Sequence, residues 1–184
     1  MNEMLGCIEE RRSVKAYTPE MPKKEDIDTV IKAGLEAASG RNRQCAIIVA
    51  ITDKATRDRL SRANAAILGM ESDPFYGAPA ILVVLAKKDV NTRVYDGSLC
   101  LGNMMLAAHS IGLGSCWVHR AREVFETEEW REWLKLIGVE GEYEGIGNLI
   151  LGYPKGDDPA PKQRNPGRVC YVLRGRPPPS GVTE

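Results

Sequence analysis

Residues 9–17, EERRSVKAY, set Arg11, Arg12 and Lys15 around Ser13. Two chemistries fit this spacing. Arginines at a helix C-terminus interact favourably with the macrodipole and need no ligand. Alternatively, a planar guanidinium fork, a hydroxyl donor and a compact ammonium make a clamp for a small anion such as phosphate. On extended chain Arg11, Ser13 and Lys15 would share one side, because side chains alternate with a period of two.

Further polar groups could contribute chemistry. In SGRNRQ, Ser39, Asn42 and Gln44 either decorate a Gly-containing helix stop or offer donors and acceptors to a polar heterocycle. In KQR, Lys162 and Arg164 are either solvated surface or anion ligands. His119 follows Trp117 at a strand end with no serine or cysteine partner for a triad, and His109 sits in an apolar helix as a core or interface residue. Cys45 and Cys116 would react only in an exposed electropositive pocket. The runs GIGNLILG and GLGSCW begin like a dinucleotide fingerprint but lead into strands, where that fingerprint needs a following helix, so no Rossmann site is assigned.

These groups must be positioned by an alternation of helices and strands. Met4, Leu5, Ile8 and Arg11 follow helical spacing behind a possible Asn2 cap, and a second helix starts after Pro22 with Ile27, Val30, Ile31, Gly34, Leu35 and Ala38 on one face. CAIIVAITD and APAILVVLAKKD read as strands buried on both faces, with a helix between them. DGSLCLGNMMLAAHSIGLGS is apolar almost all round and predicts a buried central helix. SCWVHR should be a strand, ETEEWREWLKLIGV an amphipathic helix and IGNLILGYP a last core strand. RVCYVL, in a Pro-rich tail, is strand-like and isolated. The pattern predicts one three-layer α/β/α domain over 1–184, its tail from about 155 onward lying across another surface such as a second subunit.

Composition narrows the partners. Twenty-five basic and 25 acidic residues cancel, which argues against bulk capture of nucleic acid or an anionic membrane and leaves the basic cluster for a small anion. Five scattered cysteines, without a Cys-x-x-Cys pair, indicate neither a disulfide framework nor a metal site, as expected of a reducing, cytoplasmic setting. No signal peptide or membrane-spanning run is expected.

In order along the chain, RRSVKAY, AASGRNRQ, GAPAILVVLA, DGSLCLGNMMLAAHSIGLGSCWV, EGEYEGIGNLILGYP and PKQR resemble the FMN-dependent nitroreductase family. The resemblance implies an α+β fold with a mixed central sheet, and a homodimer holding FMN at the subunit interface with NADH or NADPH as electron donor. Arg11, Arg12, Ser13 and Lys15 would form one half of a phosphate clamp, with Lys162 and Arg164 returning as the other half. Ser39, Gly40 and Asn42, with Gln44 beside them, match positions contributed by the partner subunit. Asn64 matches a side chain at the flavin's polar edge. Cys116, Trp117, His119 and Arg120 match the stretch facing the ring, where a backbone N–H near His119 or Arg120 would donate to N5 and Lys15 would sit near N1 and O2. The expected reaction is ping-pong reduction of nitroaromatic or quinone-like acceptors. A flavin-binding redox sensor, a specialised flavin-chemistry relative and a structural domain without flavin are the alternatives. Two departures stand out: NRQCA has Cys45 and Ala46 where the family often has proline and tryptophan, and the short KKDVNTRVYDG connection leaves no room for a lid.

Overall fold

The run AILVVLA has no polar side chain for either face, so a strand there must be covered twice. In the computed structural model, which describes residues 2–157 and 159–172, this run lies in β2 (Ala80–Lys87), and residues 80–86 are wholly buried. It joins β1 (Ala46–Ile51), β3 (Gly114–Val118) and β4 (Tyr143–Gly152) in one sheet of order β1-β2-β4-β3. All three strand pairings are antiparallel. The expected mixed character is confined, among the described residues, to one parallel bridge between Ser13 and Ser115 at the outer edge of β3. Alternating strands and helices do not by themselves impose parallel pairing. Here α3 (Lys54–Leu68) and the 69–79 return bring the chain back to the end of the sheet it left, so Ile51 pairs with Ile81.

The pleat sorts the core into two layers. Ile81, Val83 and Leu85 face α3, α5 (Ala121–Phe125) and α6 (Glu128–Leu136), where Trp130 packs edge-on against Phe125 at 5.4 Å and Trp133 at 5.1 Å. Leu82, Val84 and Ala86 face α2 (Lys24–Leu35) and α4 (Arg93–Ser110). The three-layer α/β/α arrangement expected of the alternation is therefore present. Gly34 lets α2 approach α4 closely, because a Cβ there would lie 2.6 Å from Met104 Cγ.

Two expectations differ from the structure. The central helix α4 is not buried all round: Tyr95 is 72% and Leu99 51% exposed, and Leu35 of the neighbouring α2 is exposed too. Met4, Leu5 and Ile8 of α1 (Glu3–Glu10) are exposed as well. RVCYVL is not a strand over 168–172; this stretch is irregular and exposed, with no neighbouring edge to pair with, and Leu173 lies outside the described residues. The short helix α5 was hidden from periodicity because five residues carry too little pattern.

Gly145 shows how closely α5 is seated. A Cβ at this position would fall 2.3 Å from the Ala121 carbonyl oxygen and 2.8 Å from the Arg122 nitrogen, both backbone atoms that a rotamer change cannot move. Gly145→Ala should therefore destabilise the fold by about 1–3 kcal/mol, the usual range for overpacking. Urea denaturation monitored by tryptophan fluorescence measures this, and an unchanged midpoint would show that α5 is free to shift.

Candidate functional site

Asn2 caps α1, its Oδ1 accepting from the Met4 N–H at 2.9 Å, and the helix ends at Glu10, releasing residues 11–17 as extended chain. That segment is laid on the sheet edge by three bonds. The Val14 N–H donates to the Ser115 carbonyl at 3.0 Å, Thr18 N–H to the Tyr153 carbonyl at 2.9 Å, and Lys155 N–H to the Ala16 carbonyl at 3.0 Å. Val14 is buried between the exposed Ser13 and Lys15, so the predicted alternation holds over 13–15; it lapses beyond, where Ala16 is exposed and Tyr17 buried, and Arg11 is half-buried.

The two arginines divide the two readings of the motif. Arg12 Nη1 donates to the Glu9 carbonyl at 2.6 Å and the Arg11 carbonyl at 2.9 Å, closing the end of α1. Arg11 instead holds a buried Nη1 with no hydrogen-bond partner among the described residues. An unpaired buried guanidinium nitrogen is costly, and an anion would satisfy it. Ser13, Lys15 and Arg11 all act on Cys116: burial raises its thiol pKa, opposed by the Ser13 hydroxyl and the two positive charges. Lys15 Nζ also lies 5.5 Å from the centre of the Tyr76 ring. Tyr76 is held out in the left-handed region, φ 52°, by Asp73, which accepts from the Phe75 and Gly77 N–H groups and the Ser61 hydroxyl.

A second cluster lies at the far end of β3. Ser13 is bridged to Ser115, and four residues onward, about 13 Å along a strand, is His119. The His119 carbonyl accepts from Asn64 Nδ2 at 3.0 Å and from Asn148 Nδ2 at 3.4 Å. Both asparagines are wholly buried, so Asn64 presents its amide to the protein's own backbone. The His119 side chain is exposed, and Arg120 bonds its own helix through Nη1 to Glu123 Oε1 at 2.7 Å. Trp117 is half-buried against the α2–α4 layer, where Gly147 makes room for its indole, whereas Cys116 faces the opposite core.

The 39–44 loop stands elsewhere. Asp96, at the first turn of α4, accepts from the Gly40 N–H at 3.0 Å, the Thr92 hydroxyl at 3.0 Å and the Cys45 thiol at 3.3 Å. The Gln44 N–H donates to Ser39 Oγ, and Gln44 Nε2 to Asn42 Oδ1. Asn42 and Gln44 are exposed and, like Arg41, adopt positive φ. This loop feeds β1, the edge opposite β3, three strand spacings or about 14 Å across the sheet. One chain thus brings Arg11, Ser13 and Lys15 together but keeps Ser39, Gly40, Asn42 and Gln44 apart from them. Lys162 and Arg164 lie on the exposed tail and make no hydrogen bond or ion pair among the described residues. Cys45, donating to Asp96, has its thiol pushed up to about 11 by burial first and then by that carboxylate, which makes it a poor nucleophile.

Sequence reasoning passed over Asn148, Asp96, Asp73 and Tyr76. A lone amide inside the apolar run GIGNLILG and an acid opening the apolar helix at VYDGSLC were the available signals, since a buried polar residue must have a task.

The pattern that defines the Nitroreductase family matches residues 8–153. An Archaeoglobus fulgidus protein named NADH dehydrogenase/NAD(P)H nitroreductase is 30% identical over 178 residues, covering 92% of this chain and 97% of its own length. A nitroreductase with bound FMN from Bacteroides fragilis superposes with a TM-score of 0.86 at 26% identity, covering 94% of this chain and 100% of the other. A nitroreductase with bound FMN from Desulfitobacterium hafniense gives 0.83 at 26% identity, again over 94% and 100%.

Burial acts to raise the Asp96 pKa, but the Gly40 N–H, Cys45 thiol and Thr92 hydroxyl outweigh it and hold the carboxyl below its ordinary range. A depressed folded-state pKa contributes stability above the unfolded value, about 3.9, that is lost as pH falls through the folded one. Asp96→Asn should cost about 1–3 kcal/mol at neutral pH by misplacing one donor against three. The stability curves of the two proteins should converge as pH falls below about 3.9 and through the lower folded-state pKa, measured by urea denaturation across pH. A difference independent of pH would rule out ionised Asp96 as the staple.

Proposed function

Because the chain belongs to the nitroreductase family, we propose that it is an FMN-dependent oxidoreductase drawing electrons from NADH or NADPH and passing them to nitroaromatic or quinone-like acceptors. The observation that carries this reading is the buried Arg11 Nη1, without a partner among the described residues and beside Ser13 and Lys15. A phosphate supplies the anion that this nitrogen lacks. The open β3 edge beyond Ser115 suits a cofactor whose phosphate and ring are joined by an extended linker.

When bound, FMN supplies the hydride chemistry. The chain's own residues bind and orient. Arg11 and Ser13 hold the phosphate end. Lys15, kept near the ring of Tyr76, places positive charge where the reduced cofactor's added negative charge would lie. The backbone at His119–Arg120 offers a donor at the ring. No side-chain acid or base is required of the site. Donor and acceptor would use the same site in turn, which gives ping-pong kinetics. Ala46 in place of an aromatic wall and the short 88–92 connection before α4 would leave that site open, favouring acceptors of varied shape.

The active unit in this reading is a homodimer of one 1–184 domain per chain. Ser39, Gly40, Asn42 and Gln44 lie at the sheet edge opposite Arg11, so a second copy is the simplest way to bring both groups to one cofactor. The exposed Tyr95 and Leu99 of α4, Leu35 of α2 and Met4, Leu5 and Ile8 of α1 form the apolar face such a dimer would cover. The exposed tail would carry Lys162 and Arg164 to the phosphate. Unpaired cysteines agree with a reducing cytoplasm, and no described helix is long and apolar enough to cross a membrane.

Purified protein should show flavin absorption that bleaches when NADH or NADPH is added without oxygen. Retained flavin that neither nicotinamide reduces would indicate a sensor, and no flavin after reconstitution would overturn the reading. Arg11→Ala should weaken FMN binding by about 1.5–3 kcal/mol, the range for hydrogen bonds to charged groups, and Arg164→Ala should act in the same direction. Arg12→Ala should leave FMN affinity nearly unchanged while lowering stability, since its guanidinium serves α1. Fluorescence titration with FMN measures all three. Equal losses for Arg11 and Arg12 would refute the division of roles.

A further inference from the structure

We propose that Asn64 and Asn148 are positioning residues that aim the Arg120 N–H at N5 of the bound flavin, an inference that rests on the FMN reading above. Two amides from separate elements, α3 and β4, donate to a single carbonyl oxygen, that of His119, at 3.0 and 3.4 Å. Both side chains are wholly buried, and the remaining oxygen of each, Oδ1, has no partner among the described residues. Turning either amide over would set two oxygens face to face, so the donor orientation is required.

This arrangement is expensive for a purely structural device. An apolar side chain of similar size would pack at either position without leaving a buried oxygen unpaired. What the amides supply in return is control of one peptide plane. Among the described residues no peptide bond is cis, and in a trans peptide the C=O of one residue and the N–H of the next point in opposite directions. Pulling the His119 carbonyl inward therefore turns the Arg120 N–H outward, away from the asparagines. The Arg120 N–H makes no hydrogen bond among the described residues. The next residue is equally constrained: Ala121 is buried, its carbonyl lying where a Cβ on Gly145 would fall. Between these anchors Arg120 adopts φ 80°, ψ 7°, a left-handed conformation uncommon for a residue with a side chain. Strain at a position fixed from both sides is the expected cost of presenting a backbone donor in one direction.

The test uses the full chain with and without FMN. In ¹⁵N-labelled protein the Arg120 amide should show one of the largest shifts and a slowed hydrogen exchange on FMN addition. Asn148→Leu and Asn64→Leu each remove one of the two donors to the His119 carbonyl without burying a charge. With FMN affinity kept within about threefold by the phosphate clamp, the bound flavin's midpoint potential and visible absorption should move from the parent values measured at the same pH. FMN that binds the parent while leaving the Arg120 amide unmoved would overturn this inference and spare the FMN reading, as would variants with the parent's potential and spectrum. A parent protein that binds no FMN overturns both. An unmoved amide overturns the inference without any variant, even where a substituted protein does not fold, and the potential of the variants tests the part played by the asparagines.

Discussion

The bond from the Val14 N–H to the Ser115 carbonyl is the reference to which the site is built. It lays residues 11–17 along the outer edge of β3, sending Val14 and Tyr17 into the core and leaving Ser13 and Lys15 outside. Because pairing there is a single bridge, the rest of the β3 edge stays open for a ligand. The same strand carries the His119–Arg120 peptide at its end. Basic cluster and backbone donor are thus held by one rigid element, with the spacing set by the rise of the strand.

The fold was legible wherever composition had one physical outcome. Seven consecutive apolar residues at 80–86, rich in Ile and Val and closely bounded, read as a doubly covered strand, and Asn2 as the cap of the helix it precedes. Strand direction was not legible, because an antiparallel and a parallel neighbour present the same apolar run; the return of residues 69–79 decides it. The open face of α4 was invisible for a related reason. A sequence apolar on all sides predicts burial without saying whether its own chain or another provides it. RVCYVL failed as a strand because β-propensity describes fit to a neighbouring edge, and 168–172 have none.

Within the site, charge was easier to read than amides. Arg11, Ser13 and Lys15 announce themselves by type and spacing, but the spacing alone did not separate Arg11 from Arg12. Which guanidinium closes the helix depends on the turn at Arg11, where ψ 130° ends α1 and leaves Arg12 to reach back to Glu9. Asn64 was noticed for a direct role and is found bonded to backbone, while Asn148 was hidden inside a run read for its glycines. Those glycines have tasks of their own: Gly145 admits the backbone of α5 and Gly147 the Trp117 indole.

The two sheet edges treat polar groups in opposite ways, and that contrast explains how one fold can serve both halves of a composite site. At the β1 edge every donor around Asp96 is satisfied internally: the Gly40 N–H, the Thr92 hydroxyl and the Cys45 thiol all converge on one carboxylate, which fixes the 39–44 loop in a conformation with three positive-φ side-chain residues. That edge has its hydrogen bonds made within the chain and presents an exposed loop. At the β3 edge hydrogen-bonding capacity is left over: among the described residues Arg11 Nη1 and the Arg120 N–H have no partner, and the amides that bond the His119 carbonyl keep unpaired oxygens. Unsatisfied donors are tolerated where a ligand can complete them, and completed loops are useful where they are offered to another molecule. A site assembled from the β3 edge of one chain and the β1 edge of another would therefore join an incomplete surface to a preorganised one, so that binding has to order only the ligand and not the protein.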